Sequence, residues 1–372
     1  MLNRLRLFEL LDGSERFAVT LIVAPAGSGK SLLAASWLAR LSGVKQVWVD
    51  LDTSADEPMR FWTQVVQAVD EVEPAAGRTA LELLGTPRTP IAAVVDAFVA
   101  SLDGDGARIV VVLDDLHLIA DPVTLRSLAY FVERVPDRVR IVATSRTVPS
   151  GRFARMRLHG VMAEVDAAQL AFTVEEAAAL LASHSNGLID DREVDDLVRR
   201  TEGWAAGIGL AAMSLPGSSD AIEHLRQVSG SHRHIADYLA QEVLDQADPD
   251  TARLLLEASM FESMSGPLCD AVFGTTNAAQ LLTELARTNL FVIPVDAAGQ
   301  WYRYHQLFRD ALAARRHDDP AAHQRAAQWF LTHNMIEPAL RHTAASGDTA
   351  SLVTILEAPH DHGRHRPRPP SC

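Results

Sequence analysis

The chain has 372 residues, of which 48% are hydrophobic and 22% are charged, and its formal net charge is −14. This composition predicts a folded protein of two or three domains and excludes a disordered chain. No apolar run reaches the roughly 18 residues of a membrane-spanning helix, and the acidic excess disfavours binding to a polyanion such as DNA. The two cysteines, Cys269 and Cys372, argue against a disulfide framework and predict a cytoplasmic location.

Residues 19–38 combine an apolar strand, a loop of small residues and an apolar helical pattern. Small residues let successive backbone N–H groups turn inward around a polyphosphate, and the helix N-terminus adds partial positive charge. Lys30 is expected to reach the β- and γ-phosphates, and the Ser31 hydroxyl to bind Mg²⁺. The predicted nucleotide-binding residues are Ala26, Gly27, Ser28, Gly29, Lys30 and Ser31.

Two points qualify this interpretation. Ala24 stands where the strict phosphate-loop pattern has glycine, and we expect alanine to be tolerated there. The alternative is an ordinary turn before a helix, which the strand–loop–helix context disfavours.

The segments around this loop predict further layers of an α/β domain. The apolar periodicity favours an amphipathic helix over residues 1–16, a strand over 47–51, a helix over 58–72, a surface connection over 73–90 and a helix over 91–102. Prolines and glycines are the reason to expect a surface connection.

A second chemical motif follows the predicted strand at residues 109–113, which runs into Asp114 and Asp115. Ligands bind at the carboxyl ends of strands in such sheets, so both carboxylates should point at the phosphate site. We expect Asp114 to hold Mg²⁺, through water, and Asp115 to orient or deprotonate the attacking water. The alternative is a strand that ends in a solvated acidic turn.

The next predicted elements are a helix over 122–135 and a strand over 139–143, which ends in Thr144, Ser145 and Arg146. Arg146 is placed to sense or stabilise the charge of the γ-phosphate, and the alternative is a surface arginine at a strand end. With a fifth, edge strand at 161–165, residues 1–165 are predicted to form a three-layer α/β domain with a parallel sheet.

The remaining chain predicts mostly helices. Residues 166–245 read as a helical domain whose Thr173 and Glu176 form a capping box, with helices expected over 174–184, 191–200, 204–214 and 219–228. Two helices over 235–256, a helix over 279–289 and a hairpin of strands 290–294 and 301–304 indicate a winged-helix domain over 246–312. Helix pairs over 313–357 predict the start of a repeat array, and 358–372 a disordered tail.

Several stretches together resemble one family. The segments are APAGSGKS, VWVDLDTSADEPMRFW, VVVLDDLHLI, ATSRTVP, LAFTVEEAAALL, TEGWAAGIGLA, SGPLCDAV, NLFVIPVD and WYRYHQLFRDAL. In this order they are similar to the MalT-like branch of the large LuxR-type regulators, which are STAND-class ATPases. The resemblance implies that ADP holds the protein closed, that an inducer and ATP release it to oligomerise, and that hydrolysis resets it.

The resemblance also implies roles for single residues. Lys30 and Ser31 correspond to the phosphate and Mg²⁺ contacts, Asp114 and Asp115 to the Walker B pair, and Arg146 to the sensor. His305 resembles the winged-helix histidine that touches the β-phosphate of ADP, and its alternative is a packed histidine at the start of a helix.

Two departures from the family bear on function. Ala205 replaces the proline of the family's GWPAG stretch, so nucleotide affinity is expected to be weaker or the base pocket looser. Members continue through a long repeat array to a C-terminal helix-turn-helix, so we expect this chain to be a truncated or naturally short form.

The sequence therefore predicts an ATP- and ADP-binding signal-transduction switch with slow hydrolysis. The alternatives are a non-hydrolysing interaction module and a truncated remnant. Self-association or pairing with full-length relatives is expected, whereas direct DNA binding is not, because acidic residues dominate the winged-helix segment. These are Glu257, Glu262, Asp270 and Asp310.

Overall fold

A computed structural model of the chain describes residues 4–74, 76–149, 151–184, 190–213, 243–244, 247–288, 291–296 and 298–357. They belong to two compact units. The first comprises Met1–Ser183 and Gly203–Ala206, and the second His184–Glu202 and Gly207–Cys372. The domain boundaries predicted at residues 165, 245 and 312 stay predictions.

A five-stranded parallel sheet organises the first unit. Its strands are β1 (Val19–Val23), β2 (Val44–Asp50), β3 (Arg108–Asp114), β4 (Val139–Ser145) and β5 (Met162–Val165), in the order β2-β3-β4-β1-β5. All five predicted strands are confirmed, and β5 lies at an edge as expected. Central strands of a parallel sheet are covered on both faces, which explains the continuous apolar runs of β1 and β3.

Helices cover both faces of this sheet, as the three-layer prediction requires. They are α1 (Leu5–Asp12), α2 (Lys30–Leu38), α3 (Pro58–Val72), α4 (Arg78–Leu84), α5 (Ile91–Leu102), α6 (Pro122–Val132), α7 (Arg152–Leu158), α8 (Ala167–Leu170) and α9 (Val174–Ala182). Side chains of α1 and α2 form one hydrophobic core with Ile22, and those of α3, α5 and α6 form another with Val19, Leu21 and Val23. The alternation along β1 thus divides the two cores.

The prediction of a surface connection over residues 73–90 was wrong, because α4 lies inside it. Its prolines and glycines all fall outside Arg78–Leu84 and mark the ends of the helix. Ala80 of α4 is fully buried among the residues that pack against α3 and α5. The sequence also gave no signal for α7, which carries Phe153 and Met156 into the same core.

The second unit contains a winged-helix arrangement, which confirms that prediction. Among its described residues the helices are α10 (Asp191–Thr201), α11 (Ala205–Met213, whose first two residues belong to the first unit), α12 (Pro249–Ala258), α13 (Gly266–Phe273), α14 (Ala278–Arg287) and α15 (Gln306–Ala313). Strands β6 (Met264–Ser265), β7 (Val292–Pro294) and β8 (Trp301–Tyr304) form an antiparallel sheet in the order β6-β8-β7.

The sequence analysis did not predict the middle helix of this arrangement, which is α13. Of the two helices expected over residues 235–256, one corresponds to α12, and the rest of that segment lies largely outside the described residues. Gly266 opens α13 at a close crossing, because a Cβ there would lie 2.4 Å from Cβ of Ala279. The hairpin turn is held by Asp296, whose Oδ1 accepts hydrogen bonds from the backbone N–H groups of Gln300 and Trp301, both at 2.9 Å.

Three further helices follow, α16 (Pro320–Thr332), α17 (Ile336–Ala345) and α18 (Thr349–Glu357), which confirms the helices expected over 313–357. Phe330 of α16 stacks on His342 of α17 with ring centroids 5.5 Å apart. Their identity as the start of a repeat array stays a prediction. The helix expected over 219–228, residues 235–242 and 245–246, and the tail 358–372 lie outside the described residues. Within the described ranges, every helix is too short or too polar to traverse a bilayer.

Trp62 offers a test of the larger core. It is fully buried, makes edge contacts with Phe61, Phe98 and Phe131, and donates its indole N–H to Ser127 Oγ at 2.8 Å. We expect Trp62→Ala to lower the free energy of unfolding by about 3–5 kcal/mol, because it leaves a cavity. Ser127→Ala should cost about 1–3 kcal/mol by leaving the indole donor unpaired. Urea unfolding followed by circular dichroism measures both, and a loss for Trp62→Ala no larger than that for Ser127→Ala would contradict this account.

Candidate functional site

The phosphate loop connects β1 to α2 in a conformation that its glycines make accessible. Gly27 and Gly29 both have left-handed backbones, with φ of 71° and 83°. Gly29 is also the residue that precedes the first turn of α2. Ala24, at the start of the loop, donates its backbone N–H to the carbonyl of Ser145 on β4 at 3.2 Å. The alanine therefore continues the sheet pairing, and the left-handed positions fall only on glycines that follow it.

Lys30 is buried, which is unusual for a lysine. Its Nζ donates a hydrogen bond to the carbonyl oxygen of Pro25 at 3.0 Å. The side chain thus folds back over the loop from the first turn of the helix. An ammonium group held there beside the helix N-terminus forms a positive region suited to a polyphosphate.

Asp114 is the centre of a polar cluster at the carboxyl edge of the sheet. Its Oδ1 accepts a hydrogen bond from Ser31 Oγ at 2.8 Å and a second one from Thr144 Oγ1. Thr144 Oγ1 in turn accepts the backbone N–H of Asp115 at 2.9 Å. Strand order explains this cluster, because β4 lies between β1 and β3 and places Thr144 beside the ends of both.

The oxygen atoms of this cluster fit a magnesium ion. Mg²⁺ prefers hard oxygen ligands, and beside substrate phosphates it is usually held by only one or two protein carboxylates together with waters. The Ser31 hydroxyl and the Asp114 carboxylate, already 2.8 Å apart, provide such a pair. Across the described residues, no group of three or more His, Cys, Asp or Glu side chains could enclose a metal. The open pair of Ser31 and Asp114 is therefore the candidate site for Mg²⁺.

Asp115 and His117 lie just beyond the Walker B strand. Asp115 adopts a left-handed backbone, with φ of 60°, and its side chain is 48% exposed. His117 Nδ1 lies 3.7 Å from Asp115 Oδ1, so the two form a close electrostatic contact without a hydrogen bond. The Asp115 carboxylate is accessible to solvent, whereas Asp114 is buried. This exposure suits a group that has to contact a water molecule.

Burial, together with the positive charges of Arg146 and Lys30, lowers the pKa of His117 to about 4, against the opposing effect of Asp114. His117 is therefore neutral at pH 7. These interactions bring Lys30, Asp114, His117 and Arg146 into one electrostatic neighbourhood. Sequence analysis missed His117, although it is the one ionisable residue in the apolar run that follows Asp115.

A second set of residues that the sequence did not predict holds the phosphate loop from outside. Trp204 donates its indole N–H to the carbonyl of Ala26 at 3.0 Å, and Ala206 donates its backbone N–H to the carbonyl of Gly27 at 2.9 Å. Gly203, with φ of 69°, accepts the backbone N–H of Phe172 at 2.8 Å. The GWAAG segment therefore fixes two consecutive carbonyls of the loop, and the substitution at Ala205 leaves those two contacts intact.

His305 lies in the second unit, at the start of α15, and is buried. Its Nε2 lies 3.0 Å from the carbonyl oxygen of Thr201, which can only accept, so Nε2 carries the proton. Burial is the main cause that lowers the pKa of His305, outweighing the raising effect of Glu202. The imidazole is therefore neutral at pH 7.

Glu202 is fixed beside His305. Arg303 donates from Nη1 to Oε1 and from Nη2 to Oε2, both at 2.8 Å, and the backbone N–H of Gln306 adds a third bond at 2.9 Å. Burial alone would raise the pKa of Glu202, but these hydrogen bonds, those from Arg303 above all, hold that pKa below its ordinary value. The end of α10 is thus joined to β8 by a bidentate ion pair and to the first turn of α15 by a backbone hydrogen bond.

Comparison with known proteins shows similarity to two kinds of domain. Residues 15–145 match an AAA domain, and residues 240–324 match the MalT winged helix domain. The chain is 30% identical over 363 residues to the HTH-type transcriptional regulator MalT of Cronobacter sakazakii, covering 95% of this chain and 40% of that protein. The resemblance to MalT-like P-loop ATPases is confirmed.

This MalT-like chain has a second group of relatives. It is 32% identical over 365 residues to the serine/threonine-protein kinase PknK of Mycobacterium tuberculosis, covering 96% of this chain and 33% of PknK. The chain thus spans less than half the length of the curated relatives it matches. Among solved structures, the Walker-type ATPase paby2304 of Pyrococcus abyssi superposes with a TM-score of 0.58 at 14% identity, over 85% of this chain and 96% of that one, which confirms the fold.

Gly27 provides a test of the contact between the loop and the GWAAG segment. A Cβ at Gly27 would lie 2.8 Å from Ala206 Cβ and 2.9 Å from Trp204 Cζ2, in a left-handed backbone. We expect Gly27→Ala to weaken nucleotide affinity at least about tenfold, because the overpacked segment must move off the loop. Gly43→Ala is the matched control, since φ is 74° there and no described atom lies within 4 Å of the added Cβ. Titration with a fluorescent ADP analogue should separate the two, and equal affinities would contradict the packing argument.

The pKa of His117 predicts a pH dependence of stability. Because its pKa falls from 6.5 to about 4 on folding, the unfolded chain binds the proton more readily, and stability is lost as pH falls from about 6.5 towards 4. Between about pH 7.5 and pH 5, this difference in the pKa of His117 should lower the free energy of unfolding by about 2 kcal/mol. His117→Gln should remove that part of the loss, which urea unfolding at the two pH values measures. A variant whose stability has the same pH dependence as that of the parent would show that His117 is protonated as readily in the folded state as in the unfolded state.

Proposed function

We propose that the chain is the nucleotide-dependent switch segment of a MalT-like signal-transduction ATPase, which binds ADP and ATP with Mg²⁺ and hydrolyses ATP slowly. The observation that carries the proposal is the hydrogen bond between Ser31 and Asp114 at 2.8 Å, next to a loop with left-handed glycines and a buried Lys30. An ordinary turn before a helix does not require a buried lysine. It also does not require a hydrogen bond between the first turn of the helix and the end of another strand.

The phosphate loop is proposed to hold the nucleotide by its diphosphate. Backbone N–H groups of Ala26, Gly27, Ser28 and Gly29 turn inward, and Lys30 exchanges its hydrogen bond to Pro25 for a phosphate oxygen. Because a neutral carbonyl is a weaker partner for an ammonium than a phosphate is, this exchange is favourable. Trp204 and Ala206 maintain the loop conformation in which these donors converge.

Ser31 and Asp114 are the residues that would hold Mg²⁺. When bound, the ion would neutralise charge on the phosphate oxygens. Thr144 keeps the Asp114 carboxylate oriented towards Ser31, so a threonine at the end of β4 acts as a positioning residue for the metal ligand.

Asp115 and Arg146 are proposed to carry the hydrolytic step. The half-exposed carboxylate of Asp115 orients water or accepts its proton, and Arg146 stabilises the charge that develops on the transferred phosphate. His117, which is close to Asp115 and feels the charge of Arg146, is neutral and adds no charge to the site at pH 7. Slow turnover follows if release of ADP requires the switch to open.

His305 is proposed, on the family resemblance, to contact the β-phosphate in the ADP-bound state. Its Nε2–H is engaged by Thr201, and a phosphate oxygen only accepts hydrogen bonds. His305 must therefore gain a second proton or release Thr201 in order to bind phosphate. Either change links the winged helix to the nucleotide state, which is the conformational step of the proposed switch.

The wider setting is proposed on the same resemblance. We expect a cytoplasmic protein that self-associates or pairs with full-length relatives, and we expect no direct DNA binding by the winged helix. The alternative from the sequence, a non-hydrolysing interaction module, predicts different biochemistry. Such a module keeps nucleotide without turnover.

Lys30→Ala tests the phosphate assignment with a matched control. The chain has one other lysine, Lys45, which forms an ion pair with Glu73 at 2.7 Å. We expect Lys30→Ala to weaken ADP and ATP affinity by about a hundredfold, through loss of a charged hydrogen bond. Lys45→Ala should leave affinity within about threefold, since partly exposed ion pairs contribute little. Isothermal titration calorimetry measures both, and unchanged affinity in Lys30→Ala would refute the phosphate-loop assignment.

Asp115→Asn separates binding from hydrolysis. We expect the nucleotide content of the purified variant to match the parent, while single-turnover release of phosphate falls by about 100-fold or more, as for loss of a general base. Turnover equal to that of the parent would reject the role of Asp115. A parent chain that binds ATP without any turnover would favour the non-hydrolysing module.

A further inference from the structure

A cleft of about 490 Å³ opens on the second unit, between α12 of the winged helix and α16. The segment after α15 closes one end of it. Five basic side chains line this arginine cleft: Arg253, Arg315, Arg316, His317 and Arg325. None of these side chains is among the proposed nucleotide-binding residues. The arginine cleft and the phosphate site therefore share no basic residue.

The arginine cleft is rich in positive charge, whereas the whole chain has a net negative charge. The whole protein carries 48 acidic and 34 basic residues, whereas the cleft has four arginines and a histidine against only Glu257 and Asp319. The acidic partners engage weakly, since Arg325 lies 3.6 Å from Asp319 and Arg253 lies 3.7 Å from Asp250. Positive charge concentrated between low-dielectric walls attracts anions.

The walls of the arginine cleft are apolar. Leu256 of α12, Met260 just after that helix, Phe273 of α13 and Ala322 of α16 line it. The side chains of Leu256, Met260 and Phe273 remain partly exposed. A ligand with an apolar body would remove these side chains from water, at roughly 25 cal/mol per Å² of buried apolar area.

Arg316 is the side chain best placed to bind a charge. Its Nε is buried and makes no hydrogen bond to any residue that the structure describes. The guanidinium is close enough to His323 and His342 that, after burial itself, its charge helps to lower the pKa of both. By contrast, Arg325 is engaged structurally, with its Nε donating to the carbonyl of Val272 at 2.6 Å. A buried donor that lacks a partner favours an anion that would supply one.

We propose that the arginine cleft binds a small organic anion whose apolar body packs on Leu256, Met260 and Phe273 and whose carboxylate or phosphate group is held by Arg316. The volume suits a ligand of that size, since small-molecule sites usually measure about 300–1,000 Å³. Such a ligand bridges the winged helix and the first helix that follows it. Its binding would therefore hold α12 and α16 together across the cleft.

The test uses the 372-residue chain and a fluorescent probe, 8-anilinonaphthalene-1-sulfonate, in the presence of excess ADP so that the nucleotide site is occupied. We expect saturable binding of this aromatic anion. N-phenyl-1-naphthylamine, which has the same rings without the sulfonate, should bind at least about tenfold more weakly, because it forms no charged hydrogen bond. Equal affinity for the two probes would overturn the anion selectivity.

Two variants and one control assign the probe to the cleft. Arg316→Gln should weaken the anionic probe at least about tenfold and leave the neutral probe unchanged. Ala252→Phe fills the cleft from α12 without a change of charge and should weaken both probes. Arg287→Gln removes an arginine that pairs with Glu284 outside the cleft, and it should change neither probe. Unaltered binding of the anionic probe in both Arg316→Gln and Ala252→Phe would overturn the proposal.

Competition identifies the chemistry of the natural ligand. Octanoate and octyl phosphate share the same chain and differ in the head group, so their relative power to displace the probe distinguishes a carboxylate from a phosphate. Displacement by one or both supports a small organic anion. Displacement by a DNA oligonucleotide or an acidic peptide but by neither small anion would overturn the proposal in favour of a macromolecular partner.

Discussion

The hydrogen bond between Ser31 and Asp114 is the interaction on which the first unit's chemistry depends. It joins the first turn of the helix after β1 to the end of β3, although β4 lies between these two strands. Thr144 occupies that intervening position and bonds to the same carboxylate oxygen and to the backbone of Asp115. The ends of three neighbouring strands are therefore connected by hydrogen bonds of hydroxyl and carboxylate groups. A ligand that binds Ser31 would disturb these hydrogen bonds at all three strand ends.

The phosphate loop depends on support from outside its own motif. Its carbonyls at Ala26 and Gly27 are turned away from the site, and a loop cannot leave such groups unpaired in a buried place. Trp204 and Ala206 satisfy them. The GWAAG segment that contains these residues thus stabilises the conformation of the loop.

In the second unit, the ion pair of Glu202 with Arg303 and the buried His305 organise the junction of α10 with α15. Glu202 has a left-handed backbone at the end of α10, with φ of 49°. That conformation is costly for a residue with a side chain, and three hydrogen bonds from Arg303 and Gln306 offset the cost. A single change in nucleotide state that displaced His305 would disturb this whole set, which is what a switch element requires.

The sequence by itself determined the elements with strong local signals. Apolar runs gave all five strands of the parallel sheet, and the glycine-rich loop followed by Lys30 and Ser31 gave the candidate nucleotide site. The acidic residues at the end of β3 predicted a Walker B pair. These signals are local because a strand covered on both faces must be apolar throughout and a phosphate loop must be built from small residues. The same reasoning failed for α4, because the breakers that bound a short helix look like those of a loop.

Only the tertiary structure decided which distant residues complete each site. Trp204 lies far from Ala26 in sequence, and Thr144 and His117 gain their positions from strand order and burial rather than from any local pattern. The arginine cleft combines side chains from α12, α16 and the segment between α15 and α16. Partners, pKa values and clefts follow from packing, and packing depends on long-range contacts that no window of sequence contains.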